Sequence, residues 1–197
     1  MVNVERTTRE LTPRVTGISL IALAAVMCIV LRWMGRVWWC EAGDLVPWSW
    51  DVWSQHNSQH LVDPYSLSHI EHGIGLSVIL AWTVGAKTTE ATRTIIVALI
   101  EAVWEIVENT PMMIARYREA TISLDYFGDS ILNSLSDYAM CLGGVWIARI
   151  TTWRIAIAIF IAMELVSTWW IRDSLLLNIL MLAWPIDVIK QWQSAGV

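Results

Sequence analysis

The sequence predicts an all-α integral membrane protein, a helical bundle of about six transmembrane helices that forms one domain over residues 1–197. Two observations support this fold class. The chain is 56% hydrophobic and 16% charged, whereas soluble domains typically carry about 25% charged residues. Apolar runs also recur along the chain at lengths near ~20 residues, which is what a helix needs to cross a bilayer. No internal repeat and no second domain are indicated.

The predicted spans lie near residues 15–31, 67–86, 94–114, 131–150, 155–171 and 175–189. The first span follows a basic segment, as a secretory signal does. However, it ends at Arg32 without a small-residue cleavage site, so we interpret it as a retained anchor. The sixth is short and contains Pro185, which predicts a kink or an incomplete crossing.

The connection between the first two spans, residues 36–65, is rich in tryptophan. Indole rings favour the boundary between lipid and water, so this outer segment is predicted to lie along the membrane surface. The tryptophans concerned are Trp38, Trp39, Trp48, Trp50 and Trp53.

The distribution of Lys and Arg sets the expected orientation, because these residues are enriched in cytoplasmic loops. With both termini in the cytoplasm, eight basic residues lie inside: Arg6, Arg9, Arg14, Lys87, Arg93, Arg149, Arg154 and Lys190. Five lie outside: Arg32, Arg36, Arg116, Arg118 and Arg172. This modest bias favours the orientation in which both termini are cytoplasmic. The net charge of −5 argues against a nucleic-acid partner. The expected partner of the helices is membrane lipid.

The third span carries three carboxylates, Glu101, Glu105 and Glu108, at positions i, i+4 and i+7 of one helix face. A charged side chain at mid-bilayer costs roughly 2.5–3.5 kcal/mol on insertion scales. Such residues are tolerated when they face a protein interior or a hydrated cavity. This helix is therefore predicted to form one wall of a polar site, although Glu101, the deepest, is better explained as a protonated residue satisfied by a neighbouring helix.

Other polar residues gather at the same predicted outer ends of the spans. They are His56, His60, Asp63, His69, Glu71, His72, Asn109, Arg116, Arg118, Asp125, Asp129, Asn133, Asp137, Arg172, Asp173 and Asn178. All four histidines belong to this set. The clustering predicts one polar cavity open to the periplasm.

Chemical roles in that cavity follow from residue type. The candidate catalytic residues are His69, His72, Glu105, Glu108, Asp129 and Asp137, acting as acid–base groups or metal ligands. The candidate substrate-binding residues are Arg116, Arg118, Asn133, Arg172, Asn109, Asp63 and His60, with the arginines placed to neutralise a phosphate or carboxylate head group.

Structural explanations compete with several of these roles. His69 and His72 also suit interhelical hydrogen bonding, and Asp129 also suits an N-cap for the fourth span. His56 and His60 resemble a metal pair only if they are helical. Among the cysteines, Cys28 and Cys141 lie in apolar segments as packing residues, and Cys40 stands alone near the membrane surface.

A divalent metal such as Zn²⁺ or Fe²⁺ suits the two histidines and the carboxylates. The candidate ligands are His69, His72 and Glu105. The HxxH spacing alone is a weak signal, and the sequence contains no HExxH motif. The cofactor therefore stays unidentified at this point.

Four long motifs carry a resemblance to a known family: HNSQHLVDPYSLSHIEHG, EAVWEIVENTPMMIARYREAT, DYFGDSILNSLSDYAMCLGG and WIRDSLLLNILMLAWPIDVIKQWQ. Together they resemble uncharacterised bacterial inner-membrane proteins that carry an unknown-function label. The resemblance covers roughly residues 54–193 and implies no established activity.

A looser pattern is similar to VanZ-like membrane proteins, which have Asp and His at the start of one span, Glu in the next, then Arg, then Asp and Asn before a Gly. The positions that match are Asp63, His69, Glu105 or Glu108, Arg116 or Arg118, Asp129, Asn133 and Gly143. This resemblance implies a four-helix core from residue 67 to 171 and a role in the cell envelope. The chain departs from the pattern by its additional His72 and Glu101 and by two further C-terminal spans.

Three functions are consistent with the sequence. The first is an envelope enzyme or binding protein that acts on a lipid-linked or anionic amphiphilic ligand. The second is a proton-coupled transporter, because buried carboxylates and histidines also form proton relays. The third is a structural or assembly protein in which the polar residues hold helices together. The sequence does not indicate an oligomeric state.

Overall fold

The computed structural model describes residues 10–121 and 126–194, and the regular structure in those residues is helical. Eight α-helices follow in order there: α1 (Pro13–Trp33), α2 (Ser66–Val84), α3 (Glu90–Glu108), α4 (Pro111–Ala120), α5 (Ile131–Ile150), α6 (Trp153–Ile171), α7 (Leu175–Ala183) and α8 (Asp187–Ser194). A 3₁₀ turn, Gly85–Lys87, follows α2. The predicted helical bundle is therefore confirmed. Arg6, Arg9 and Asp125 lie outside the described residues.

Five helices begin at a Ser or Thr whose side chain accepts a hydrogen bond from a backbone N–H three residues later. These caps are Thr12, Thr89, Thr110, Ser130 and Thr152. Each satisfies one of the N–H groups that have no partner inside the helix. Because Ser130 caps α5, the alternative role of Asp129 as that cap is wrong by one residue.

Two predicted spans are interrupted. The segment 94–114 is not one helix, because α3 ends at Glu108 and α4 restarts at Pro111. Proline has no N–H to donate and disfavours a helical residue before it. The segment 175–189 is divided in the same way between α7 and α8, which have nine and eight residues. A nine-residue helix is only about 14 Å long, less than half of a ~30 Å hydrocarbon core.

Helix α2 lies at the centre of the bundle, with its most extensive packing against α5 and further contacts with α6 and α3. Two glycines permit the close approach of α2 and α5. A Cβ atom on Gly73 would lie 2.0 Å from the Cys141 carbonyl oxygen, and one on Gly144 would lie 2.1 Å from that of Ile70. The two backbones are therefore nearly in contact, as in small-residue helix interfaces of membrane proteins.

Helix α1 packs against α3 and α5 through a buried apolar cluster that includes Met27, Leu31, Ala102 and Tyr138. Helix α6 packs against α2 through Ile74, Val78 and Ala156. Two described helices, α1 and α6, are long and apolar enough to cross a bilayer, as judged by length and composition alone.

Candidate functional site

Helices α2, α3 and α5 bring a histidine and three carboxylates together. His69 Nδ1 lies 2.6 Å from Glu101 Oε1 and 3.4 Å from Glu105 Oε1, and His69 Nε2 lies 3.8 Å from Asp137 Oδ2. Glu101 and Glu105 are one turn apart on α3, so both face the same ring. The side chain of His69 is 10% exposed and those of Glu101 and Glu105 are 1% exposed.

Glu101 binds both histidines of α2. Its Oε1 accepts from His69 Nδ1, and its Oε2 lies 3.0 Å from His72 Nδ1. A carboxylate that accepts from Nδ1 fixes the ring orientation and leaves Nε2 as the proton-accepting nitrogen of a neutral imidazole. In the sequence, Glu101 was interpreted as a structural residue, and the structure instead places it at the centre of the cluster. Its i, i+4 relation to Glu105 was the available signal.

The cluster borders a cavity of about 170 Å³ between α2, α3, α5 and α7. Its lining residues are Asn57, Ser58, Tyr65, Ser68, His69, His72, Trp104, Glu108, Tyr117, Tyr126, Asp129, Asp137, Leu175, Asn178 and Ile179. The lining therefore combines aromatic and aliphatic side chains with imidazoles and carboxylates, and the Trp104 ring lies edge-on to that of His72 with centroids 6.2 Å apart. Sequence reasoning missed the aromatic members, because a tryptophan or tyrosine gives no signal in the sequence that distinguishes a cavity wall from the core.

Four predicted catalytic residues besides His69 line this cavity: His72, Glu108, Asp129 and Asp137. Glu105, the remaining one, is buried behind them, beside His69. Glu105 Oε1 makes no hydrogen bond with the described residues. The predicted convergence of these side chains from separate helices is therefore present in the structure, while their catalytic roles stay a prediction.

Asp129 is held rigidly at the start of α5. Asn109 Nδ2 donates to its Oδ2 at 2.6 Å, the Tyr126 hydroxyl donates to its Oδ1 at 2.9 Å, and its own N–H donates to Asn109 Oδ1 at 2.7 Å. Burial raises the pKa of Asp129 to about 6, against these two side-chain hydrogen bonds, which lower it. Burial beside Asp129 also raises the pKa of the Tyr126 hydroxyl.

Asp63 and Asn133 support the site from outside the cavity. Asp63 accepts from the backbone N–H groups of Ser58, Tyr65 and Ser66, and so shapes the turn that enters α2. Burial raises the pKa of Asp63. Asn133 Nδ2 donates to the His60 carbonyl at 2.8 Å. We therefore interpret Asp63, Asn109 and Asn133 as positioning residues, where the sequence predicted direct contact with substrate.

The three predicted substrate-binding arginines do not line the cavity, and this prediction needs correction. Arg116 Nε donates to the Leu182 carbonyl at 2.8 Å, Arg118 Nε to that of Tyr126 at 2.5 Å, and an Arg172 terminal nitrogen to that of Trp192 at 3.0 Å. All three carbonyls lie in or beside helix ends and loops, where backbone acceptors lack partners. The guanidinium groups therefore fasten chain segments together.

His60 also lies away from the cavity. Its ring is fully buried, packs against Trp39 with ring centroids 5.3 Å apart and planes tilted by 41°, and lies beside His56. Its predicted role in substrate binding is not consistent with this position, because only its backbone carbonyl contacts the site, through Asn133.

Two sets of side chains at the cavity have the ligand atoms to hold a metal ion. They are His69 with His72 and Glu101, and His69 with Glu105 and Glu108, each set having its ligand atoms within 4.8 Å of one another. Imidazole and carboxylate ligands suit Zn²⁺ or Fe²⁺. His69 belongs to both sets, so one ion at a time is the natural occupancy.

Comparison with known proteins identifies relatives over nearly the whole chain. The model of the family described as "Protein of unknown function (DUF2585)" matches residues 31–195. This chain belongs to that family. No solved structure matches it significantly.

Curated relatives in the family carry the name UPF0314 protein. The chain is similar to the one from Paracoccus denitrificans, at 44% identity over 95% of both chains. It is also similar to one from Sinorhizobium fredii, at 45% identity over 90% of this chain and 89% of the relative. A third, from Rhizobium meliloti, is 46% identical over 91% and 90%. The looser resemblance to VanZ-like proteins stays a prediction.

Proposed function

We propose that this protein is a multi-pass protein of the bacterial inner membrane that binds and processes an amphiphilic cell-envelope substrate in the cavity beside His69. The observation that carries the proposal is the placement of the His69 ring, which contacts Glu101 on α3 through Nδ1 and faces Asp137 on α5 through Nε2. A buried imidazole oriented by one carboxylate at a cavity wall is the arrangement of a general acid–base group.

Exposed apolar side chains support the membrane setting. Ile18, Ile21 and Ile29 on α1 are 59–72% exposed, as is Leu165 on α6 at 65%. Apolar surface of this extent suits lipid more than water. The distribution of Lys and Arg favours cytoplasmic termini and a cavity that opens to the periplasm, beside the outer segment of residues 36–65.

The cavity lining selects the substrate class. Trp104, Leu175 and Ile179 offer a wall for an acyl or prenyl chain. The polar lining is acidic, and no Lys or Arg is among the described lining residues. We therefore favour an amphiphile whose head group donates hydrogen bonds, such as a hydroxyl or amine. The anionic head group expected from the sequence would need a divalent metal, held by His69, Glu105 and Glu108, to offset the like charge.

The proposed chemistry uses His69 Nε2 as the proton acceptor. Glu101 holds the Nδ1–H, so Nε2 takes a proton from a water or substrate hydroxyl in the cavity and later returns it to the leaving group. The carboxylate of Glu101 stabilises the imidazolium formed between these two steps. Asp137 lies near Nε2 and accepts from the Ser66 hydroxyl at 3.3 Å, which fixes its side chain.

A complementation experiment tests the catalytic proposal. The gene is deleted from its host and replaced with wild type, His69→Gln, Glu101→Gln or, as matched control, Glu90→Gln at the opposite, exposed end of α3. Envelope lipids are then profiled by mass spectrometry. We expect the deletion, His69→Gln and Glu101→Gln to accumulate the same lipid species, and Glu90→Gln to match wild type. A wild-type lipid profile from well-expressed His69→Gln protein would exclude catalysis by this residue.

A second experiment tests ligand binding without requiring turnover. Ser68 lines the cavity on α2, whereas Thr83 is exposed near the other end of the same helix. Ser68→Trp fills part of the cavity and leaves the His69–Glu101 contact in place, and Thr83→Trp is its control. Native mass spectrometry of protein from membranes should find a co-purified amphiphile in wild type and Thr83→Trp, and loss of it in Ser68→Trp. Equal retention in all three would contradict this binding site.

A second candidate function is proton-coupled transport. It rests on the unbroken series His72, Glu101, His69 and Asp137, whose neighbouring members lie within 4 Å. Such series act as proton relays in membrane proteins. Reconstituted vesicles with a pH-sensitive dye test it. Proton flux that depends on Glu101 and on an imposed solute gradient supports transport, and its absence favours the enzyme.

A further inference from the structure

A second cluster of metal-ligand side chains lies in the outer segment, apart from the cavity. Cys40, His56 and His60 have their ligand atoms within 4.8 Å of one another. Cys40 Sγ lies 3.3 Å from His56 Nδ1, and His56 Nδ1 lies 3.4 Å from His60 Nε2. In the sequence, Cys40 was a lone cysteine and the two histidines were a weak pair. The fold brings these three side chains together.

The separations match tetrahedral coordination. With zinc–sulfur and zinc–nitrogen bonds of about 2.3 and 2.05 Å, tetrahedral angles place ligand atoms roughly 3.3–3.6 Å apart. The His56–His60 separation is close to the lower, nitrogen–nitrogen value, and the Cys40–His56 separation is about a quarter of an ångström shorter than the upper, sulfur–nitrogen value. Thiolate and imidazole together favour Zn²⁺ over the oxygen-preferring Mg²⁺ and Ca²⁺.

The surroundings of His60 are those of a metal ligand. Its Nδ1 contacts the Val46 carbonyl oxygen, so Nδ1 carries the proton, and Nε2, which lies 3.4 Å from His56 Nδ1, keeps its lone pair for a metal. A backbone carbonyl that fixes the tautomer in this way is the usual outer partner of a metal-bound histidine. Cys40 is 6% exposed, His60 is fully buried and His56 is half-buried, so two of the three ligands are already shielded from water.

We propose that Cys40, His56 and His60 form a structural Zn²⁺ site, with water or a further ligand in the fourth position. Zinc replaces the thiol proton of Cys40 and draws one lone pair from each histidine, so one proton is released on binding. The proposal is independent of the chemistry at His69.

The site has a structural consequence for the cavity. The residues that follow His56 are Asn57 and Ser58, both of which line the cavity. Gln59 then joins α5, because its Nε2 donates to the Gly128 carbonyl at 2.7 Å and its own carbonyl accepts from the Ser130 hydroxyl at 3.0 Å. A metal ion that joins Cys40 to His56 and His60 would tie together the two ends of residues 40–60 and so hold this wall of the cavity in position.

Metal titration of the purified full-length protein in detergent tests the site. The protein is stripped with a chelator and titrated with Zn²⁺ against a chromophoric competitor. We expect Cys40→Ser and His60→Gln to weaken the tight site at least 100-fold, and Cys28→Ser to leave it unchanged. His69→Gln separates this site from the cavity, since it should retain the tight ion. Unchanged affinity in Cys40→Ser, or loss in His69→Gln alone, would overturn the proposal.

Two readouts on the wild-type chain cover the case in which the variants fail to fold. Co²⁺ in place of Zn²⁺ should produce a sulfur-to-metal charge-transfer band, since Cys40 is the only thiol in the cluster. Zn²⁺ should also slow alkylation of Cys40 by at least 10-fold relative to Cys28, followed by peptide mass spectrometry. A cobalt spectrum without the sulfur band, or equal alkylation with and without zinc, would contradict the site.

Discussion

The two ends of the central helices carry ion pairs of opposite character. At the cavity end, His69 and Glu101 meet at 2.6 Å with side chains that are 10% and 1% exposed. At the other end, Arg149 of α5 meets Glu90 of α3 at 2.5 Å, with side chains that are 65% and 52% exposed. Contact distance therefore does not distinguish these pairs, and burial does. A buried pair is costly to form and more costly to break, whereas an exposed pair is nearly neutral.

The largest expected effect comes from breaking the buried pair. Glu101→Ala removes the acceptor of both His69 Nδ1 and His72 Nδ1, which leaves a buried ring and a half-buried ring without their closest carboxylate. The expected loss of stability is about 3–5 kcal/mol, measured by tryptophan fluorescence during denaturation in detergent.

The matched control is Glu90→Ala, at the exposed end of the same helix. It should cost less than about 1 kcal/mol. Equal losses for Glu101→Ala and Glu90→Ala would show that burial does not govern the difference between the two ends.

A smaller effect is expected from separating the two helices that carry His69 and Asp137. Gly144→Ala places a Cβ atom 2.1 Å from the Ile70 carbonyl oxygen of α2, which is backbone and has little freedom to move. The adjacent Gly143 has open space at the same position. We expect Gly144→Ala to lose roughly 2–3 kcal/mol, as in overpacked cores.

Gly143→Ala serves as the control for Gly144→Ala, and it should be neutral or slightly stabilising because alanine favours the helix. A difference of less than about 1 kcal/mol between the two variants would contradict the close backbone approach of α2 and α5.

The most gradual effect concerns pH and the residues just outside the ends of the helices. The pKa of Asp129 is raised from 3.8 to about 6 in the folded protein, because it is buried. Between these values the folded state binds more protons than the unfolded state. The contribution of Asp129 to stability is therefore complete below about pH 4 and is lost as the pH rises through about 6, a change of about 3 kcal/mol spread over these two pH units.

Asp129→Asn should reduce this fall in stability between pH 4 and 6, as measured by denaturation at several pH values. Burial also raises the pKa of Asp173 to about 6, so Asp173 contributes to the pH dependence of stability in the same direction. Asp173→Asn is therefore the companion variant, and part of the fall in stability with pH should remain in each single variant. A slope that is unchanged in Asp129→Asn would refute the raised pKa of this carboxyl.

Much of the fold follows from the sequence. The helix predicted at 131–150 coincides with α5, and those predicted at 15–31 and 155–171 differ from α1 and α6 by no more than two residues at either end. Long apolar runs and Ser or Thr caps are local signals, which explains their success. The break before Pro111 was not predicted, and the break at Trp184, beside Pro185, was left open between a kink and an incomplete crossing. A proline inside an apolar run ends, kinks or begins a helix according to what packs around it.

For the site, the sequence by itself predicted that the imidazoles and carboxylates share a polar interior, because ionised groups are costly in an apolar medium. Only the tertiary structure decided which partner each one has. In the folded chain His69 contacts Glu101, and Cys40 lies beside His56 and His60. The three arginines donate to backbone carbonyls instead: Arg116, Arg118 and Arg172. The reason is that side-chain partners depend on distances of a few ångströms between segments remote in sequence, and helical periodicity carries no information about those distances.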